Sequence, residues 1–199
     1  MLPPELLRTL SGTSSAHLSA LRDRLAQQAA RDELLDVAIC TTDTPVGELL
    51  LAATPAGLAR IAFASEDHDA VLERLSRTLG PRILTSPRVL DDVRRELDEF
   101  FDRRRTTFTI PLDWSLTTGF RRTVQEYLPH IAYGRTSSYK EVAEAVGNAR
   151  AVRAVGTACA TNPLPIVVPC HRVLRSDGTL GGYLGGLDAK TLLLELEHD

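Results

Sequence analysis

Cys170, His171 and Arg172 stand in a row at the end of the apolar run "IVVP". A thiol, an imidazole and a guanidinium together suit nucleophilic chemistry. An unperturbed thiol, with a pKa near ~8.5, is only a few per cent thiolate at neutral pH, and nearby positive charge lowers that pKa. Pro169 stiffens the approach to Cys170. The competing reading is an inert buried thiol, the commoner fate of a lone cysteine after apolar residues. If "IVVP" is a strand that continues, adjacent side chains point to opposite faces. His171 then reaches Cys170 only through a sharp turn or a water molecule. The imidazole also needs a third group to orient it. "LDAKTLLLELE" is expected to form a helix capped by Asp188, with Glu197 on the same side as Lys190, Leu193 and Leu194. Glu197 is therefore at the rim of the core or paired, and it is the candidate partner of His171. Glu195 points to solvent.

The 199 residues, 43% hydrophobic and 25% charged, suit a soluble globular chain of one or two domains. No run approaches the ~18 apolar residues of a membrane span, and no basic region followed by an apolar core marks a secretory signal. Three cysteines at no metal-like spacing point to a reducing, cytoplasmic setting with free thiols. His171 beside Cys170 is at most half a zinc site, so neither a metal nor another cofactor is expected. The net charge of -3 excludes a generally basic, nucleic-acid-coating protein. Between Thr117 and Arg175, however, eight basic residues face three acids. That local excess fits a phosphate-binding face, or a solvated mixed surface.

The elements that must position Cys170 can be outlined. Residues 1–36 form an extension in which Leu18, Leu21 and Leu25 recur at helical spacing, expected to pack on the body or on a partner. A small α/β domain is expected over 37–112. "DVAICTT" and "TPVGELLLAATPAGLARIAFA" supply three strands with a turn at 54–57. "DHDAVLERLSRTLG" and "SPRVLDDVRRELDEFFDRR" read as helices, the second with a Val89, Val93, Leu97 and Phe100 stripe. "TFTIPLD" reads as a last strand, and Pro111 to Ser115 as a linker. Residues 113–199 are mainly helical, beginning with "TGFRRTVQEYLPHI". The fold class is α+β.

Ser138 and Glu141 form a capping box that starts a helix at Tyr139, and Gly147 ends it. Asn148 is the expected cap of the next helix, and Pro163 its stop. That second helix carries Val152, Val155, Gly156 and Cys159 on one face. Arg150, Arg153, Ala154, Thr157 and Thr161 form the other. Small, hydroxylic and cationic residues let a helix lie close to a phosphate backbone. The pair is a candidate helix-turn-helix.

"NPLPIVVPCHRVLRSDGTLGGYLGGLDAKTLLLELE" resembles the active-site half of the O6-alkylguanine-DNA alkyltransferases, and "GRTSSYKEVAEAVGNARAVRAVG" resembles their helix-turn-helix. "TPVGELLLAATPAGLARIAF" is more loosely similar to their N-terminal domain, which is ribonuclease-H-like. The resemblance spans about residues 37–197. It implies a repair protein that flips O6-alkylguanine, and O4-alkylthymine as a further substrate, from duplex DNA. The alkyl group passes irreversibly to Cys170. It further implies that His171 activates Cys170 through a water and that Glu197 orients His171. Asn162 ties the active-site loop to the recognition helix, and Tyr139 assists the departure of guanine. Arg153 fills the hole left by the flipped base. Val173, through its carbonyl, and Tyr183 line the base pocket, with the backbone amide of Leu184. Ala154, Thr157 and Arg172 belong to the DNA-binding set. The partner implied is alkylated double-stranded DNA, with no membrane and with self-association through residues 1–36 as a further expectation.

Gln125, Ala132, Ala160 and Leu184 depart from the usual pattern. Three other readings compete. A non-repairing lesion binder lacks the acceptor cysteine, which is present here. A helix-turn-helix regulator would read undamaged sequence. A Cys-His hydrolase leaves the arginine-bearing helix without a purpose.

Overall fold

The structure is a computed structural model that describes residues 34–198, together with Ala20, Leu21, Arg24, Leu25, Gln28 and Ala29. These six lie in a helix on which Leu21 and Leu25 are exposed, while Ala29 packs at the edge of the core. Leu18 and the rest of the extension, including its expected self-association, lie outside the described residues.

The N-terminal half is built on a mixed sheet of β1 (Val37–Thr42), β2 (Leu49–Thr54), β3 (Gly57–Phe63) and β4 (Ile83–Thr85). The order is β3-β2-β1-β4, with β4 parallel to β1 and the other pairs antiparallel. β4 is an addition to the expected strands. At three residues, inside the short stretch from Pro81 to Pro87, it carries too little pattern to be read. Helix α1 (His68–Leu79) is capped by the Asp67 carboxylate and seals one face of the sheet with Leu75 against Val37 and Ala52. The other face joins the main core, where α2 (Asp91–Phe101) contributes Val93, Leu97 and Phe100. Val89 leaves the expected stripe. It lies in a 3-10 turn over Pro87–Leu90 and is exposed, and Leu90 takes the buried place.

"TFTIPLD" is not a strand. Glu96, buried on α2, accepts hydrogen bonds from the Thr109 backbone and hydroxyl. The segment is thereby bent, leaving one bridge between Leu58 and Leu112. That crossing passes so near Gly57 that a Cβ there would lie 2.3 Å from the Pro111 oxygen, and Gly57 also has φ +137°. The expected linker is pinned too. Asp113 accepts from the backbone and hydroxyl of Ser115 and from Thr54.

The C-terminal half contains α3 (Gly119–Tyr127), α4 (Tyr139–Ala145), α5 (Val152–Ala160) and α6 (Gly186–Leu196), with β5 (Ser137–Ser138) parallel to β6 (Val173–Leu174). The capping box at Ser138 and Glu141 is formed, and Gly147 follows α4 with φ +79°. Asn148 does not cap α5. Ala151 holds that position, and Asn148 offers its carbonyl to the Ala151 amide. Val152 is 36% exposed, and Ala158 takes its expected place in the core. Gln125 on α3 is fully buried. Its Nε2 donates to the Ala158 carbonyl at 2.8 Å, satisfying a group in the last turn of α5 that has no partner within the helix.

Candidate active site

The segment before Cys170 is a buried turn rather than a strand. Ile166 sits at φ +74°, a region a β-branched residue occupies at a cost on the order of 1–3 kcal/mol. Asn162 holds this conformation from within the loop. Its Nδ2 donates to the Val168 carbonyl at 2.8 Å, and its Oδ1 accepts from the Leu164 amide at 3.0 Å. The same Nδ2 lies 3.2 Å from the Cys170 Sγ. One fully buried amide thus shapes the loop and touches the sulfur.

From outside, the sheet clamps the loop. The Ile61 amide of β3 donates to the Pro163 carbonyl at 2.8 Å, and Arg60 donates to the Asn162 carbonyl at 3.4 Å. Arg60 is itself held by Glu66. No sequence signal set this arginine apart from a surface charge on a strand.

Cys170–Arg172 is one turn of 3-10 helix rather than the continuation of a strand. At about 3 residues per turn, successive side chains diverge by roughly 120° rather than 180°. His171 is fully buried. Its Nε2–H donates to Glu197 Oε1 at 2.9 Å, while Nδ1 has no hydrogen-bond partner among the described residues. Glu197 closes the C-terminus of α6 and is 4% exposed. Its carboxylate also receives Arg172, through Nε at 2.8 Å and a second guanidinium nitrogen at 2.9 Å. Asp188, the expected cap of this helix, lies in its first turn while Gly185 holds the cap position. Gly134, at φ +69°, brings its amide to 3.4 Å from the same carboxylate.

Arg172 does not belong on a DNA surface. It is 5% exposed, donates to the Ile131 carbonyl at 2.6 Å, and lies over the Tyr133 ring at 5.9 Å. Its charge is spent on fixing Glu197. Lys190, fully buried, similarly donates to the Val173 carbonyl at 2.7 Å. Its place among leucines on the helix wheel was the one sign that this lysine is interior.

The electrostatics describe a resting site. Burial pushes the Cys170 thiol up to about 11, only partly offset by the Asn162 hydrogen bond and the Lys190 charge. Burial also lowers the His171 pKa, outweighing Glu197, so the imidazole is neutral. Burial would raise Glu197, but hydrogen bonds from His171 and Arg172 and the charge of Arg172, joined by that of His171 once acid protonates it, win and bring it to about 2. The result is a fixed carboxylate, a neutral imidazole with an available lone pair, and a protonated thiol.

Beside this cluster opens a cleft of about 470 Å³ between Tyr139, Gly156 and Ala160 on the helix pair and Gly181–Leu184 opposite. Tyr183 lines it and meets the His171 ring edge-on at 6.3 Å. Gly181 lets Tyr139 in; a Cβ at residue 181 would lie 2.3 Å from its hydroxyl. Cys170 is 2% exposed and is absent from the cleft wall. Arg153, Ala154 and Thr157 stand on the exposed face of α5. The expected residues therefore form a buried cluster, a cleft wall and an outer helix face.

Comparison with known proteins gives the same division. Residues 39–114 match the ribonuclease-like domain of 6-O-methylguanine DNA methyltransferase, and residues 119–199 match its DNA binding domain. A methylated-DNA--protein-cysteine methyltransferase of Methanosarcina barkeri is 37% identical over 158 residues, covering 79% of this chain and 94% of that protein. The constitutive enzyme of Bacillus subtilis is 38% identical over 159 residues, covering 79% and 93%. A crystal structure of Mycobacterium tuberculosis OGT in complex with DNA superposes with a TM-score of 0.71 at 36% identity, covering 81% of this chain and 92% of that one. With an asparagine-bracketed cysteine and a carboxylate-held histidine in the matched region, the chain belongs to the methylated-DNA–protein-cysteine methyltransferase family.

Proposed function

We propose that this protein repairs alkylated DNA by direct reversal, moving the alkyl group from O6 of guanine to Cys170 once per molecule. The observation that carries this is a pair of buried hydrogen bonds, one from Asn162 to the Cys170 sulfur and one from the His171 ring to Glu197, set behind a cleft beside an arginine-bearing helix.

O6 lies inside a base pair, so the nucleotide must be extruded, at a cost of a few kcal/mol. Arg153, exposed on α5, takes the place of the lost base, and Ala154 and Thr157 let the helix approach the backbone. In the cleft, Tyr183 faces the base, with the Leu184 amide at O6, and the Val173 carbonyl, held by Lys190, is the further pocket acceptor. The thiol proton passes, through one water, to Nδ1 of His171, which is neutral and able to accept it. Glu197 stabilises the imidazolium that forms. The thiolate sulfur bonds to the alkyl carbon, the carbon–O6 bond breaks, and its electron pair leaves with guanine. Tyr139 gives the departing guanine a proton. O4-alkylthymine presents the same kind of carbon–oxygen bond and is a second substrate. No cofactor enters, and the thioether product has no route back to the thiol, so each molecule acts once.

Burial of Cys170, which also pushes its thiol up to about 11, keeps thiolate scarce in the resting site. No described helix is long and apolar enough to cross a membrane. We place the protein in the cytoplasm, on the nucleoid when bound to DNA.

The test is the intact mass after incubation with a duplex containing O6-methylguanine, followed by peptide mapping. One added methyl on Cys170, and none in Cys170→Ser, is expected. Methyl on Cys159, or repeated turnover, would sink the reading.

A further inference from the structure

The cleft has one charged residue on its wall, Arg175, and no sequence motif or mechanistic step uses it. Its backbone is fixed. It directly follows β6, donates its amide to the Thr179 carbonyl at 3.0 Å, and accepts from the Gly178 amide at 2.9 Å. Asp177 ties the same turn together through the Thr179 amide and hydroxyl. The side chain is exposed and makes no ion pair among the described residues. In the same half, Arg122 and Lys140 pair with Glu126 and Glu144, and Arg172 is buried on Glu197.

Position decides what such a cation can meet. The reacting carbon must touch a thiol that is 2% exposed, so the O6 end of a bound base lies at the buried end of the site. The sugar and its two phosphates remain covalently attached and stay at the open end, where Arg175 is. A guanidinium matches a phosphate in charge and fork geometry.

We propose that Arg175 binds a phosphate flanking the flipped nucleotide, holding the extruded strand at the mouth of the cleft. This rests on the base-extrusion reading above. Arg175 shares the cleft wall with Tyr139 and Tyr183, the two aromatic residues assigned to the base.

The experiment compares wild type, Arg175→Ala and Arg175→Lys in single-turnover transfer from a methylated duplex and from free O6-benzylguanine. Arg175→Ala should slow duplex repair about tenfold, the scale of one charge-assisted hydrogen bond, and flatten its salt dependence by about one ion. Arg175→Lys should recover part of the rate. Reaction with the free base should not change. A duplex with one neutral methylphosphonate beside the lesion should slow wild type, and should slow Arg175→Ala no further. Three results overturn the proposal: equal losses on duplex and free base, a loss confined to an O6-carboxymethyl adduct, or no loss at all. If wild type itself fails to take up methyl from the duplex, the repair reading falls instead.

Discussion

Two clusters of charge illustrate what burial does to an ion pair. On α2, Arg95 lies between Asp92 and Glu99 at 2.9 and 3.2 Å, and Arg94 pairs with Asp91, with every side chain but Glu99 more than two-fifths exposed. At the end of α6, Glu197 takes Arg172 at 2.8 Å and His171 at 2.9 Å with almost no exposure. The distances are nearly the same. Water screens the first set and competes for every partner, so such pairs contribute little. Water is excluded from the second, so losing one member leaves an uncompensated charge inside the protein. The outer cluster keeps a helix soluble, and the inner one fixes the direction of an imidazole.

The contrast can be broken most sharply at Glu197. Glu197→Ala should destabilise the protein by about 3–5 kcal/mol, as expected for removing one partner of a buried pair. It should also abolish alkyl transfer, read by denaturant unfolding and by methyl uptake. Glu197→Gln should restore part of the stability but not the rate, because an amide cannot neutralise the imidazolium.

Acid should reveal the same cluster without mutation. The Glu197 pKa is depressed in the fold, so its stabilisation is present above about 4.5 and is lost as pH falls toward 2. The amount is on the order of 3 kcal/mol. His171 acts in the same direction. The unfolded chain binds its proton near 6.5 and the folded chain does so only at lower pH, so stability begins to decline below pH 6.5. Unfolding midpoints measured from pH 7 to pH 3 should fall, and Glu197→Gln should flatten the lower part. A wild-type midpoint independent of pH over this range would refute the assignment.

Smaller effects sharpen the comparison. Gln125→Ala should cost about 1–3 kcal/mol by leaving the Ala158 carbonyl unpaired in a fully buried place. It should weaken DNA binding, by fluorescence anisotropy, more than reaction with a free base. Arg60→Met should cost roughly 1–2 kcal/mol and slow transfer from duplex and free base alike, because it loosens Asn162 rather than the DNA face. At the far end, Arg95→Ala should leave the unfolding midpoint unchanged within error, and so should its transfer rate.

Much of this could be read along the chain. The three leading strands, the capping box at Ser138 and the exposed face of α5 depend on nearest neighbours and periodicity. These forces act over a few residues and leave a local trace. Failures came where a distant group intervened. Glu96 bends "TFTIPLD" away from strand geometry, and Asn162 bends "IVVP" into a buried turn with Ile166 at positive φ. Apolar residues in a row mark burial, but not which buried shape they take. Arg172 misled for the same reason, since its type suits phosphate as well as a buried carboxylate.

By itself, the sequence determined the candidate chemistry: a cysteine, an adjacent histidine, and a glutamate on the apolar side of the last helix. Only the tertiary structure decided that the histidine is neutral, that the thiol rests protonated, and that Arg172 serves Glu197 rather than DNA. These are properties of the dielectric around each group, and a dielectric is set by everything packed nearby. A 3-10 turn, an asparagine bracket and a strand edge supplied by β3 together place Cys170 where that environment governs it.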